Sequence, residues 1–400
     1  MARRPVNDIL YVTENIPRAA SGGSVATMGM LRALRRGGWN VHLVLNLRRA
    51  DFGLLDVARS LCASVVPVAR PRMRVTPPID WLRCVARHGY VPRWQAGVWK
   101  AMEASLRERP FELVFLDHIR AAEYGRLLKE RGPRIPIALR EHNVESELNA
   151  RIAPEMDAAR ERAETRLRAH RYREIETHLA RYCDLVLPIS EVDRAKLEAL
   201  NPGLPFAAIP SPVDTEHYRP APFPPAGKEV VFVGGMGYGP NKDAVTWFVR
   251  EVLPQVIARH PDVRFTAVGE KPPAWFAQHA PHVRGVGFVP DEREYVARGR
   301  VFVAPIRFGS GVRTKILNAL AMGRPVVATT AGAEGLLLEH GRSILLADEA
   351  GAFGNAVSAL LEDDARAAAL AAEGLRACLD AYSPERVAER LREAFARVGA

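Results

Sequence analysis

The sequence predicts an α/β protein with two domains, each built on a parallel sheet covered by helices. Short β-rich runs alternate with helical stretches along the 400 residues, which is typical of parallel sheets whose crossovers are helices. A Pro-rich stretch from Pro210 to Pro225 separates a first series of runs from a second. At roughly 150 residues per domain, the length allows two or three domains, and the hydrophobic content of 48% supplies their cores.

The expected strands are short apolar runs bounded by turn residues. In the first half they are Ile9–Val12, Val41–Leu45, Val65–Val68, Leu113–Leu116, Ile135–Leu139 and Leu185–Pro188. In the second half they are Val230–Val233, Arg264–Val268, Val301–Ala304, Pro325–Ala328 and Ile344–Leu346. Charges of both signs from Met156 to Tyr182 predict one long solvent-exposed helix. Ser383 as N-cap followed by Pro384 predicts a last helix.

Composition excludes several classes of protein. The 56 Lys and Arg against 46 Asp and Glu give a net charge of +10, which indicates an anionic ligand, a phosphorylated substrate or an acidic membrane surface. The cysteines are Cys62, Cys84, Cys183 and Cys378, with no Cys-x-x-Cys pair. We therefore expect neither a metal site nor a disulfide framework, and a reducing cytoplasm fits. No apolar run is long enough for a signal peptide or a membrane helix, so any membrane contact should be peripheral.

Two glycine-rich segments lie where a predicted strand meets a predicted helix. Gly22-Gly23 stands just before the first long helix, where backbone N–H groups can approach an anion. The run from Gly234 to Gly239 follows the first strand of the second series and precedes a helix from about Lys242. Its spacing differs from the Gly-x-Gly-x-x-Gly fingerprint of dinucleotide-binding proteins. Each segment alone fits either a phosphate site or a flexible loop.

The most informative segment is the loop Gly309-Ser310-Gly311, which joins a buried strand to a helix carrying Arg313 and Lys315 in its first turn. Helix-terminus amides with two cations suit a diphosphate. Open α/β sheets bind ligands at this carboxyl end of their strands. On the residues alone, two basic residues on a surface helix remain the alternative.

Together these segments resemble the retaining, nucleotide-sugar-dependent glycosyltransferases of family 4, also called group 1, which have the two-Rossmann GT-B fold. The resemblance covers nearly the whole chain. Its anchors are the Gly22-Gly23 loop, the linker Ile209 to Thr215, the run Phe232-Val233-Gly234 and above all the run from Lys315 to Ala328. Each anchor is modest alone, and their order and spacing together are specific.

The resemblance implies two Rossmann-like domains facing across a cleft. Residues 1–212, with a returning helix at 383–400, would bind the acceptor, and residues 213–382 would bind the nucleotide sugar. It implies transfer of a sugar from a nucleotide-diphosphate sugar to a hydroxyl acceptor, with retention and without metal. The acceptor would be a glycan, a lipid-linked glycan or a small molecule. The nucleotide sugar is a co-substrate, no cofactor is expected, and the expected place is the cytoplasm or the inner face of the membrane.

Departures from the family pattern shape the expected donor site. The family's Glu-x7-Glu motif falls on Ser310 and Asn318, and neither residue is acidic. The Asn318 amide can hydrogen-bond a hydroxyl, but without the charge-assisted strength of a carboxylate. Gly235 stands where many relatives have Arg, and Lys242 lies one position from the family's Lys. We therefore expect Arg313 and Lys315 to hold the diphosphate and to act catalytically by stabilising its departure. The expected donor-binding residues are Gly234, Gly235, Lys242, Gly309, Ser310, Gly311 and Asn318.

Polar residues also follow two strands of the first domain. His118 matches the position of a cleft histidine that contacts the donor sugar in relatives, which makes it a catalytic candidate by resemblance; a structural role is the alternative. The segment Glu141 to Glu145 should lie at the same edge of the sheet. The expected acceptor-side residues are Gly22, Gly23, His142, Asn143 and Glu145.

Residues 57–110 carry ten Lys or Arg against three acids, and Trp81, Tyr90, Trp94 and Trp99 are interleaved with them. This pattern suits an anionic lipid surface or a lipid-linked acceptor. An ordinary Arg-rich surface over an aromatic core is the alternative. Nucleic acid shows a similar charge pattern, but the ordered anchors argue against it.

Other functions stay open on the sequence. The missing glutamates allow a non-catalytic relative that binds a nucleotide sugar or glycan without turnover, and donor turnover would discriminate the two. An NAD-dependent oxidoreductase is disfavoured because neither domain has the expected glycine spacing with an acid closing the second strand. A nucleotide-sugar epimerase on the same fold is a further, weaker alternative.

Overall fold

The computed structural model describes residues 7–17, 22–70, 95–156, 158–309 and 311–400. Contacts divide the chain into two compact units, Met1–Pro212 with Pro384–Ala400, and Val213–Ser383. Each unit contains one six-stranded sheet in which every pair of neighbouring strands is parallel. The predicted α/β class with two Rossmann-like domains is confirmed.

In the first unit the strands are β1 (Asp8–Thr13), β2 (Asn40–Leu47), β3 (Ser64–Ala69), β4 (Leu113–Asp117), β5 (Ile137–Glu141) and β6 (Leu185–Pro188). The helices are α1 (Gly22–Arg36), α2 (Asp56–Leu61), α3 (Ala96–Glu108), α4 (Ala122–Arg131), α5 (Glu145–Ile152), α6 (Ala159–Glu176) and α7 (Glu191–Leu200). The sheet order is β3-β2-β1-β4-β5-β6. All of these strands run in the same direction, so their carboxyl ends meet at one edge, where such sheets place ligand sites.

In the second unit the strands are β7 (Glu229–Val233), β8 (Arg264–Val268), β9 (Val283–Gly287), β10 (Val301–Ala304), β11 (Val326–Ala328) and β12 (Leu345–Leu346). The helices are α8 (Gly239–Trp247), α9 (Leu253–Arg259), α10 (Arg293–Arg298), α11 (Thr314–Ala321), α12 (Ala350–Glu362) and α13 (Asp364–Tyr382). A π-helical turn, Phe248–Val252, joins α8 to α9. The sheet order is β12-β11-β10-β7-β8-β9.

Burial on both faces of each sheet explains the apolar strands. In β1, Leu10 and Val12 pack into one core while Ile9 and Tyr11 pack into the core on the opposite face, as the two-residue period of a strand requires. The last helix, α14 (Pro384–Ala396), belongs to the first unit. Its Phe395 packs edge-on against Trp39, with ring centroids 5.2 Å apart.

The structure corrects three local predictions. Strand β9 was not expected, because its sequence contains two glycines and few apolar residues. Helix α1 begins at Gly22, so Gly22 and Gly23 form its first turn and not a preceding loop. The charged helix α6 ends at Glu176 and does not reach Tyr182, because the Asn201 side-chain amide donates to the Glu176 carbonyl at 2.7 Å and caps this end.

Among the described residues, no helix is long and apolar enough to span a bilayer. The thiols of Cys62, Cys183 and Cys378 are free, and Cys84 lies outside the described residues.

Candidate functional site

In the second unit, the glycine turn after β7 lies against the first turn of α11. The Lys315 ammonium donates to Asn241 Oδ1 at 2.8 Å, and the Asn241 amide donates to the Gly235 carbonyl at 2.9 Å. Asn241 therefore holds Lys315, at the junction of β10 and α11, against the backbone of the junction between β7 and α8. These two junctions follow β7 and β10, which are neighbours in the sheet.

Lys315 is held in an environment that disfavours its charge. Its Nζ atom lies 4.3 Å from the ring centroid of Phe232, and among the described residues no carboxylate forms an ion pair with it. Burial and the neighbouring Arg313 lower the pKa of Lys315 to about 7. An anion placed beside this ammonium would restore the charged form.

Arg313 and Lys315 both lie where glycines remove side-chain bulk. Arg313 precedes α11, and its guanidinium donates to the Gly311 carbonyl at 2.8 Å; burial lowers its pKa. A Cβ on Gly309 would lie 2.7 Å from the Arg313 guanidinium, and one on Gly234 would lie 2.5 Å from Lys315 Nζ. The glycines thus let the two cations lie against the backbone. We call Arg313 and Lys315 the cation pair.

The other expected donor-binding residues differ in their surroundings. Helix α8 begins at Gly239, three residues before the expected start, and Lys242 is exposed on it, with no side-chain partner among the described residues. Asn318 is half-buried within α11, and its side chain has no hydrogen bond within the described residues. Ser310 lies outside them. The helix start at Thr314 places Lys315 in the first turn and Arg313 just before it.

In the first unit, a buried carboxylate organises the carboxyl edge of β1, β4 and β5. Asp117 accepts hydrogen bonds from Thr27 Oγ1 at 2.6 Å and Thr13 Oγ1 at 3.2 Å. It also accepts from His142 Nε2 at 2.8 Å and from the Arg140 guanidinium at 3.3 Å. Burial alone would raise the pKa of Asp117, but His142, Arg140 and Thr27 hold it well below its usual range.

His142 is a neutral hydrogen-bond donor in this network. Burial is the largest influence on it and lowers its pKa to about 4, although Asp117 opposes the shift. Its Nε2 therefore carries a proton that points at Asp117. Arg140 is fully buried and also donates to Ser211 Oγ at 2.8 Å. The hydrogen bond to Asp117 therefore fixes His142, the expected acceptor-side histidine, in one orientation.

His118, directly after β4, has a φ of 85°, which is uncommon for a residue with a side chain. Its Nδ1 accepts from the Arg120 backbone N–H at 3.3 Å, so Nε2 carries the proton and faces Glu145 Oε1 at 3.3 Å. Strained backbone of this kind is retained mostly at functional sites. The His118 and His142 rings lie 5.3 Å apart.

Glu145 anchors the His118 side chain. It accepts from Asn143 Nδ2 at 3.0 Å and from Asn149 Nδ2 at 3.2 Å. Burial acts to raise its pKa, but His118, Asn143 and Arg120 lower the pKa to about 2. Three expected residues, His118, Asn143 and Glu145, thus lie in one hydrogen-bonded group, and His142 stands beside it.

Sequence reasoning missed several members of these clusters. They are Thr13, Thr27, Arg140 and Ser211 around Asp117, and Asn241 beside Lys315. Asp117 directly precedes His118, and Asn241 lies just after the glycine run that ends at Gly239, so their positions were a signal in the sequence. The partners of Asp117 lie up to 104 residues away in sequence, and no local pattern links them.

The basic stretch of residues 57–110 is described only in part. Trp99 is buried in the core of the first unit, so this tryptophan belongs to the aromatic core and does not contribute to a lipid-binding surface. Trp81, Tyr90 and Trp94 lie outside the described residues. Within the described parts of the chain, no group of three or more His, Cys, Asp or Glu side chains could hold a metal ion.

Comparison with solved structures shows the fold. The chain is similar to HepE from Anabaena in complex with UDP and glucose (17% identity, 98% of this chain and 99% of that chain, TM-score 0.65). It is also similar to sucrose-phosphate synthase from Thermosynechococcus elongatus (18% identity, 98% of each chain, TM-score 0.68). These likenesses establish the fold, which is that of the GT-B glycosyltransferases.

A family model matches part of the second unit. Residues 227–363 match the model described as Glycosyl transferases group 1. An uncharacterized 44.6 kDa protein in the cps region of Klebsiella pneumoniae is 27% identical over 130 residues. That match spans 30% of this chain and 34% of the Klebsiella protein.

Proposed function

We propose that this protein transfers a sugar from a nucleotide-diphosphate sugar to a hydroxyl acceptor. The observation that carries the proposal is the cation pair, Arg313 and Lys315, held against glycine backbone beyond β7 and β10. Such a site suits a diphosphate because it offers two cations and closely approachable backbone. The group 1 family match over residues 227–363 supports the same assignment.

In the reaction, the bond between the anomeric carbon and the diphosphate oxygen breaks, and a bond from that carbon to the acceptor oxygen forms. Negative charge grows on the departing diphosphate, and the proton of the acceptor hydroxyl passes to an oxygen of that diphosphate. The cation pair stabilises the growing charge. Such electrostatic stabilisation by a preorganised site is usually the largest single contribution to catalysis. We propose that a hydroxyl of the donor sugar replaces Glu145 as the acceptor of the His118 Nε2–H.

We further propose retention at the anomeric carbon, no metal ion, and no cofactor beyond the nucleotide sugar. The family resemblance motivates all three, and Arg313 and Lys315 are placed to take the electrostatic part that a metal plays in other transferases. The acceptor is proposed to be a glycan or a lipid-linked glycan, handled in the cytoplasm or at the inner membrane face. Because HepE was solved with UDP-glucose, UDP-glucose is the first donor to test.

The test is release of nucleoside diphosphate from a panel of nucleotide sugars by the full-length protein, with the chelator EDTA present in a parallel series. We expect one donor to be turned over equally with and without EDTA, and its sugar product to keep the anomeric configuration in NMR spectra. Lys315→Ala and Arg313→Ala should each reduce turnover at least tenfold.

A matched control separates the site from general charge effects. Lys228 precedes β7 at the opposite edge of the same sheet and pairs with Asp262 at 3.0 Å, so Lys228→Ala should leave turnover unchanged. If a nucleotide sugar raises the melting temperature of the protein but is never turned over, the non-catalytic alternative is correct and the transferase proposal is wrong.

A further inference from the structure

Four adjacent strands of the first unit each end in a polar side chain that belongs to one cluster. Glu14 follows β1, Asn46 lies at the end of β2, Arg70 follows β3 and Arg120 follows β4. The Asn46 amide donates to Glu14 Oε1 at 2.9 Å. Arg70 and Arg120 approach Glu14 Oε2 at 3.4 and 4.0 Å. We call Arg70 and Arg120 the arginine pair.

The arginine pair is only partly neutralised. Among the described residues, Glu14 is the one carboxylate within ion-pair distance of either guanidinium, so two positive charges share one negative charge. The Arg70 and Arg120 side chains are 39% and 41% exposed. Each guanidinium carries five N–H donors, and the Arg70 contacts use a single nitrogen, which reaches Glu14 and the Asn46 carbonyl.

A structural role does not account for this arrangement. Exposed ion pairs contribute about 0 to 1 kcal/mol, and less when the contact is long. Placing a second guanidinium on the same carboxylate adds repulsion between the two cations. A planar, forked donor pair at the ligand edge of a sheet is the arrangement that proteins use to bind carboxylates and phosphates.

The cluster also adjoins the candidate catalytic histidine. A guanidinium nitrogen of Arg120 lies 3.4 Å from His118 Nε2, and the Arg120 charge helps to lower the pKa of Glu145. A group bound by the arginine pair would therefore lie beside His118. The donor's diphosphate is assigned to the second unit, which leaves the acceptor as the occupant of this edge.

We propose that the arginine pair binds an oxyanion, a carboxylate or a phosphate, carried by the acceptor. The inference rests on the proposed function for its link to an acceptor. Glu14 occupies the guanidiniums while the site is empty, and the incoming oxyanion competes with it. The acceptor class is thus an acidic sugar or a phosphate-bearing polyol, and a neutral sugar is disfavoured.

The experiment measures binding to the full-length protein by calorimetry, with no donor turnover needed. The carboxylate probe is methyl glucuronide, compared with neutral methyl glucoside, and the phosphate probe is glycerol 3-phosphate, compared with glycerol. All titrations are repeated in a background that carries both Arg313→Gln and Lys315→Gln, so that both charges of the cation pair are removed. The two arms tell which oxyanion the site prefers.

Three variants and one control decide the outcome. Arg70→Gln and Arg120→Gln should each weaken binding of the preferred anionic probe about tenfold or more, while Glu14→Gln should strengthen it because a competing carboxylate is lost. Arg109 precedes β4 at the opposite edge of the sheet, and Arg109→Gln should have no effect. Thermal unfolding of each variant checks that it is folded.

The inference is overturned if anionic and neutral probes bind alike, or if Glu14→Gln weakens binding as the arginine variants do. The second result would mean that the cluster is only structural. Failure of the proposed function gives a different result. Nucleotide-sugar turnover is then absent, whereas anion binding still depends on Arg70 and Arg120. A turned-over donor with no anion preference would overturn this inference alone.

Discussion

Binding of a nucleotide sugar should make the protein take up a proton at Lys315. The pKa of this lysine is lowered to about 7 in the free protein by burial and by Arg313. A diphosphate within hydrogen-bonding distance adds opposite charge, which favours the ammonium form. Binding at a pH above 7 is therefore coupled to protonation of the lysine.

The size of the effect follows from the pH. At pH 8, about 10% of Lys315 side chains carry a proton when their pKa is about 7, so binding should take up about 0.9 proton per molecule. At pH 6 the lysine is already about 90% protonated, and uptake should fall to about 0.1 proton. Between pH 7.5 and 9, affinity should fall by nearly tenfold per pH unit.

The assay is calorimetric titration with the nucleotide sugar that is turned over, because its phosphodiester groups do not titrate in this range. The observed enthalpy is plotted against the ionisation enthalpy of buffers such as HEPES and Tris at each pH, and the slope gives the protons taken up. Lys228→Gln should keep the uptake seen in the wild type. No uptake at pH 8, or undiminished uptake in Lys315→Gln, would refute the reasoning.

Three further predictions use equilibrium measurements. Asn241→Ala should weaken nucleotide-sugar binding about tenfold, because Lys315 loses its positioning partner, whereas Asn355→Ala, at an exposed position of α12, should not; a shift of the pH profile would identify the loss as a lysine effect. Gly234→Ala should weaken binding similarly and also lower the free energy of unfolding, by about 1 to 3 kcal/mol, because the new methyl group meets both Lys315 Nζ and the Asn241 amide and the φ of 157° disfavours a side chain; unchanged stability in urea would contradict this. Asp117→Asn should destabilise the first unit by about 3 kcal/mol, since Arg140 is left as a buried uncompensated charge, and Asp56→Asn, 89% exposed, should change the urea midpoint little.

Most of the fold could be predicted because the strands are buried on both faces. The continuous apolar run Leu185–Pro188, for example, predicts a buried strand, and the structure has a buried strand with the same bounds. Strand β9 lacks that signal, since it lies at the edge of its sheet and pairs only with β8. Helix boundaries were less certain, because glycine at Gly22 and Gly239 is also compatible with a loop.

The candidate site also has a part that the sequence could predict and a part that it could not. Lys315 and Arg313 stand next to a glycine-rich loop in one local segment, so the sequence could single them out. The hydrogen bond from Lys315 to Asn241 joins positions 74 residues apart, and the Thr27 to Asp117 bond joins positions 90 apart. Partners this distant become visible only when the sheet order brings strand ends together.

The distance from Lys315 Nζ to the nearest phosphate oxygen in a crystal structure with the cognate nucleotide sugar tests the central claim most directly. The claim is that the cation pair holds the diphosphate of a sugar donor. It predicts that this distance is about 3 Å, with the Arg313 guanidinium on the same diphosphate. A nucleotide sugar bound with its diphosphate at the first turn of α1, and away from Lys315, would contradict it.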